Sequence, residues 1–89
     1  MAEITRKELI LALISAGDCP RLRGLDLSGL DMRLVDLHGA TLNGADLSEA
    51  SLNGANLSGA DLSGATLLGA DLGGATLSGT IMPDGTRHV

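Results

Sequence analysis

Residues 55–64 read Ala55-Asn56-Leu57-Ser58-Gly59 and then Ala60-Asp61-Leu62-Ser63-Gly64, one five-residue phrase written twice. Working outward from it, a large apolar residue recurs at every fifth position: Leu22, Leu27, Met32, Leu37, Leu42, Leu47, Leu52, Leu57, Leu62, Leu67, Leu72, Leu77 and Met82. Alanine stands two residues before it at 40, 45, 50, 55, 60, 65, 70 and 75. Glycine stands two residues after it throughout 24–79, except at Leu34 and Glu49. Between the alanine and the leucine lies Asp, Asn, Ser or Thr, from Asp26 to Thr76.

A period of five suits neither regular element. On an α-helix five residues advance about 500°, so the leucines would spiral over every face. On a continuous strand, where side chains alternate, successive leucines would face opposite ways. The chain must therefore turn once per repeat. Alanine and leucine, two apart on a short extended segment, both point inward, and the polar residue between them points out. Glycine supplies the corner. Turning always in one sense makes a coil, and coils stack at about 4.8 Å, the spacing of paired strands. The listed Leu and Met residues are then a core ladder, held narrow by the alanines.

The phrase Ala-(Asp/Asn)-Leu-x-Gly, as in Ala45-Asp46-Leu47 and Ala70-Asp71-Leu72-Gly73-Gly74, resembles the pentapeptide repeat superfamily over residues 20–84. The resemblance implies an all-β solenoid: a right-handed quadrilateral β-helix with four repeats per coil, here about three coils. It divides the chain into an N-terminal capping helix and connection (1–19), the pentapeptide-repeat β-helix (20–84) and a C-terminal tail (85–89). With four repeats per coil, residues twenty apart stack in columns.

Solenoids need caps. Thr5-Arg6-Lys7-Glu8 fits a capping box, with Ile4 and Leu9 as its hydrophobic staple. The helix is expected to run to Ala16 and stop at Gly17, with Leu9, Ile10, Leu13 and Ile14 facing the first coil. Pro20, Leu25, Leu30 and Val35 replace alanine in the first four repeats, where larger residues can fill the space below a helix. After Met82, Pro83-Asp84-Gly85-Thr86 signals a turn, with too few residues beyond it for a second capping helix. The last coil is expected to be thinly covered or paired with another molecule.

Composition narrows the function. The 89 residues include no Phe, Tyr or Trp, which removes stacking platforms for single-stranded nucleic acid and aromatic membrane anchors. The net charge of −5 opposes direct binding to nucleic acid or anionic lipid. The longest apolar run, Leu9 to Ile14, falls far short of the roughly 20 residues of a membrane span. The single cysteine, Cys19, excludes an internal disulfide framework and reads as a small packing residue. His38 is expected to be solvated and His88 to lie in the tail. Neither has a second ligand at metal-binding spacing, and no catalytic residue, cofactor or metal site is expected.

The expected function is therefore a non-catalytic protein–protein interaction or scaffold module, placed in the cytoplasm for want of a targeting signal. Its protein partner is unspecified, and the uncapped last coil also allows a weak homodimer. The candidate contact patch is Leu68 and Ile81, apolar residues where the repeat calls for polar ones. The alternative is an acidic DNA mimic acting on an enzyme such as DNA gyrase, which the resemblance raises because longer family members do this. Seven acids and one base, Arg33, lie between Gly24 and Met82. Against mimicry, three coils span only about 15 Å.

Overall fold

The computed structural model describes residues 5–9 and 21–88. From Arg21 onward the chain advances in five-residue sides and pairs, in parallel, with itself twenty residues on. Four sides thus complete a coil. Arg21, Thr41, Asp61 and Ile81 stack on the first side, and Asp26, Asp46 and Thr66 on the second. Asp31, Ser51 and Asp71 stack on the third, and Asp36, Asn56 and Thr76 on the fourth.

Residues 57–61 show why the repeat takes this form. Leu57 N–H donates to Thr76 O of the next coil at 2.8 Å, and Gly59 N–H to Ser78 O at 2.9 Å. Asp61 N–H reaches back to Ala40 O at 2.9 Å, and Ala60 N–H closes the corner on Leu57 O at 2.9 Å. The fifth N–H, on Ser58, faces neither coil and donates to Asn56 Oδ1 at 3.0 Å. Every backbone donor of the side is satisfied, as buried or half-buried backbone requires.

The last of these bonds explains the Asp/Asn preference. An Asx side chain hydrogen-bonds the backbone two residues on. Asp26, Asp31, Asp36, Asp46, Asp61 and Asp71 do so to Ser28, Arg33, His38, Ser48, Ser63 and Gly73. Where Thr or Ser stands instead, at 41, 51, 66 and 76, the corresponding N–H gains no such partner among the described residues.

Each corner is a hydrogen-bonded four-residue turn with positive φ at its third residue, the pattern of type II. All ten corner glycines adopt it except that Leu34 and Glu49 occupy the same place at φ 62° and 60°. A left-handed conformation costs a non-glycine residue roughly 1–2 kcal/mol. Leu34, with 80% of its surface exposed, regains little by burial. Leu34→Gly is therefore expected to raise stability by about 1 kcal/mol, read as a higher urea midpoint with unchanged slope. A lower midpoint would show that the Leu34 side chain contributes more than its strain costs.

Leu27, Met32, Leu37, Leu42, Leu47, Leu52, Leu57 and Leu62 are fully buried, and Leu22 nearly so. Ala40, Ala45, Ala50, Ala55 and Ala60 are sealed between them. Toward the C-terminal end the ladder opens: Leu67, Leu72 and Leu77 are partly buried against the core, and Met82 is half-buried.

At the other end residues 6–9 form a helical turn. The capping box is reciprocal: Glu8 N–H donates to Thr5 Oγ1 at 3.1 Å, and Thr5 N–H to Glu8 Oε1 at 2.8 Å. Leu9 is buried in the same core cluster as Leu30 and Val35 of the first coil. The expected continuation of the helix to Ala16, with Ile10, Leu13 and Ile14, lies outside the described residues, as do Cys19 and Pro20.

Candidate functional site: the two ends of the coil

The stacking bonds have a direction. Toward the C-terminal end each side presents two N–H donors, as Leu47 and Glu49 do to Thr66 O and Leu68 O, and one acceptor, Ala45 O for Thr66 N–H. Toward the N-terminal end each side presents two acceptors and one donor. The two ends of such a solenoid are thus chemically unlike.

On the third side Met32 N–H and Leu34 N–H donate to Ser51 O and Asn53 O, and Leu52 and Gly54 to Asp71 O and Gly73 O. The counterparts in the first coil are Asp31 O and Arg33 O, which have no coil before them. Arg6 takes that place. Its Nη1 donates to Asp31 O and its Nη2 to Arg33 O, both at 2.8 Å. One guanidinium fork substitutes for two peptide N–H groups, a match that its planar donor geometry suits. Arg6 Nη1 also lies 3.3 Å from Asp31 Oδ1. Arg33 holds the same carboxylate at both oxygens, 2.9 Å each.

At the C-terminal end, Leu67, Gly69, Leu72, Gly74 and Leu77 have N–H groups without a partner among the described residues, as do the carbonyls of Ala65, Ala70 and Ala75. The tail closes part of this edge. Ile81 pairs antiparallel with Arg87, Gly79 N–H donates to His88 O at 2.8 Å, and His88 N–H to Thr80 O at 2.7 Å. Residues 85–88 are thus folded back on the coil. Thr80, at an alanine position, is buried, and its hydroxyl donates to Leu57 O at 2.6 Å. The second and third sides remain open above Leu67 and Leu72.

Leu68 stands at the corner of the open second side, 79% exposed. Ile81 does not join it. It is half-buried, packed on the first side between Asp61 and Arg87, so the expected pair is split between two sides. The second large exposed hydrophobic is Leu34. It lines a shallow groove with Arg6, Arg33, Asn53 and Gly54. Its mark in the sequence was the missing glycine. His38 is exposed, and His88 is exposed in the folded-back tail. Among the described residues no group of three His, Cys, Asp or Glu could hold a metal ion.

Five of the aspartates titrate low for local reasons. Hydrogen bonds and charge from Arg33 hold Asp31 down to about 2 from 3.8. Bonds from Ser28, Ser63 and Thr86, first through the hydroxyl and then the N–H, lower Asp26, Asp61 and Asp84. The Gly73 N–H, followed by Asn53, lowers Asp71. A carboxyl group with a lowered folded pKa stabilises fully above its unfolded pKa and loses that contribution as pH falls through the folded one. Melting temperature is therefore expected to hold near pH 6 and fall between about pH 4 and 2. In Asp31→Asn the fall should be shallower at its acid end. An identical pH profile for that variant would remove Asp31 from the account.

A narrow β-solenoid with five-residue sides and one capped end defines the class of protein. A family model of pentapeptide repeats matches in eight copies over residues 21–54 and 40–79, and the chain belongs to that family. No curated protein matches it. Similar solved structures include HetL, a pentapeptide repeat protein involved in heterocyst differentiation regulation from the cyanobacterium Nostoc sp. strain PCC 7120. It is 42% identical over 76% of this chain and 40% of HetL, with a TM-score of 0.46. A pentapeptide repeat protein of the Arabidopsis thaliana thylakoid lumen is 28% identical over 88% of this chain and 45% of its own, with a TM-score of 0.48. Another from Nostoc PCC 7120 is 31% identical over 80% and 74%, with a TM-score of 0.37. The chain thus spans less than half the length of the first two. Among the described residues no helix is long and apolar enough to cross a membrane.

Proposed function

We infer that this chain is a non-catalytic protein-contact module, a right-handed quadrilateral β-helix that works through the open sides of its last coil. The observation that carries this reading is the half-buried Leu67 and Leu72 beneath N–H groups that have no partner among the described residues, flanked by the exposed Leu68. Apolar surface and free strand edge together favour a protein partner over a small molecule. The acidic residues have a local use in holding turn N–H groups, so their number alone does not call for DNA mimicry.

A photo-crosslinker placed at Leu68 in the native host tests the reading. A discrete protein adduct is expected there and not from the same group at His38 on the fourth side. Equal labelling at both positions, or none at either, overturns it.

A further inference from the structure

We propose that Asn53 is a site of spontaneous covalent modification: in the folded protein it loses its side-chain amide by ring closure onto Gly54, while Asn43, in the same Asn-Gly dipeptide, is kept intact by its place in the coil.

Asn43-Gly44 and Asn53-Gly54 are the two Asn-Gly pairs of the chain. Asparagine is a thermolabile residue, and a following glycine has no side chain to hinder approach of its nitrogen. The Gly54 nitrogen, giving up its proton to hydroxide, attacks Asn53 Cγ. The new C–N bond closes a five-membered imide, and the amide nitrogen leaves as ammonia. Water then opens the ring at either carbonyl, leaving aspartate or iso-aspartate. One amide and one water become one carboxylic acid and one ammonia, and no oxidant or reductant takes part.

In the coil neither glycine nitrogen is free to attack. Gly44 N–H donates to Ser63 O and Gly54 N–H to Gly73 O, both at 3.0 Å. Ring closure carries the nitrogen away from its acceptor, so the reaction waits on local opening of the side above. Both glycines are exposed, so access of water does not distinguish them. What distinguishes them is how the covering side is held.

Above Asn43 the covering side is itself covered. Leu62 N–H donates to Ile81 O at 2.8 Å and Gly64 N–H to Pro83 O at 2.9 Å, and Ile81 pairs in turn with Arg87 of the tail. Above Asn53, residues 71–74 are the last layer. Leu72 and Gly74 N–H have no partner among the described residues, and Leu72 is only partly buried. Three backbone bonds tie this side to the coil beneath: Leu52 N–H to Asp71 O, Asp71 N–H to Ala50 O, and the Gly54 bond itself. The Asn53 amide lies directly under it. A Cβ added at Gly73 would meet Asn53 Nδ2 at 3.0 Å, and the amide donates to the Asp71 carboxylate. Opening free energies fall toward thinly packed ends, so the Gly54 nitrogen is released more often than that of Gly44.

The third asparagine, Asn56, precedes Leu57, whose side chain is fully buried and crowds the nitrogen. Modification at Asn53 also loosens the layer that permits it. Either product lacks the amide that donates to Asp71, and iso-aspartate lengthens the main chain by one atom, which moves Gly54 N–H off Gly73 O.

Incubation of the full natural chain at mildly alkaline pH, followed by peptide mass mapping with fragment localisation, tests this. Asn53 should convert at least about tenfold faster than Asn43, the scale of a modest difference in opening free energy. Asn56 should persist. In the urea-unfolded chain the two Asn-Gly pairs should convert at matching rates. Amide hydrogen exchange gives an independent reading on the same protein: Gly54 N–H should exchange faster than Gly44 N–H. Equal rates at 43 and 53 in the folded chain, or a faster Asn43, overturn the proposal. So does a folded chain whose Asn53 stays intact after the unfolded chain has converted. A difference that survives in urea overturns it too, because the cause would then lie in the neighbouring residues, as does a Gly54 N–H protected as well as that of Gly44. Isomerisation at Asp84-Gly85 changes no mass and does not enter the reading.

Discussion

Leu52→Ala is expected to lower stability by about 2–5 kcal/mol, the range for emptying a fully buried leucine site. Leu52 has no exposed surface, and Leu47 and Leu57 on the adjoining sides of its coil have none either. The upper part of the range applies when the surroundings cannot collapse into the space. Here the backbone around the site is tied to the next coil by Leu52 N–H to Asp71 O at 2.8 Å and Gly54 N–H to Gly73 O at 3.0 Å. Moving one side inward would break bonds in two layers, so the cavity should persist. Leu77→Ala is the control. That residue is only partly buried, at the open end, and should cost clearly less. The outward Ser51, whose side chain caps no turn, should tolerate alanine within about 0.5 kcal/mol. Urea unfolding of the three variants provides the comparison. Equal losses at 52 and 77 would mean that the last coil is as well packed as the second.

How much of this was legible in the residues depends on which interactions repeat. The five-residue period declared the inward ladder and the corners because every repeat votes for the same arrangement. It could not give the number of sides, since nothing within one side says how many close the coil; the columns twenty apart rested on resemblance. The outward acids carried weight in the sequence only as a count of charges. Their bonds to the N–H two residues on have a sequence signature in Asp26-Leu27-Ser28, Asp46-Leu47-Ser48 and Asp61-Leu62-Ser63, where Asx and Ser share one turn. Arg6 was less legible still. Its partners are backbone carbonyls 25 and 27 residues away, which any sequence presents. The return of the tail left no mark for the same reason: antiparallel pairing of Arg87 with Ile81 satisfies main-chain groups and leaves no pattern in side chains.

Ala55→Leu is expected to cost about 1–3 kcal/mol or more, the range for overpacking a filled core. The enlarged side chain has no room along the axis. Ala55 is fully buried, with Val35 in the coil before it and Ala75 in the coil after it, and its N–H is tied to Leu52 O at 3.0 Å. Sideways, the alanines on the other sides are equally sealed, so the added atoms must push coils apart along several bonded edges at once. The first coil shows what makes a larger residue acceptable at this position. Leu30 and Val35 occupy it there, in the first coil, where no coil lies beneath them, and both are buried in one core cluster with Leu9. The same logic applies at the other end, where Ala75 is half-buried beside the open third side. Ala75→Leu can extend into that opening and should change stability by less than about 0.5 kcal/mol. Its added apolar surface should also strengthen whatever contact the open edge makes. Thermal unfolding of the two leucine variants separates these cases. A large loss for Ala75→Leu would show the last coil to be closed from above, and with it the contact surface would fall.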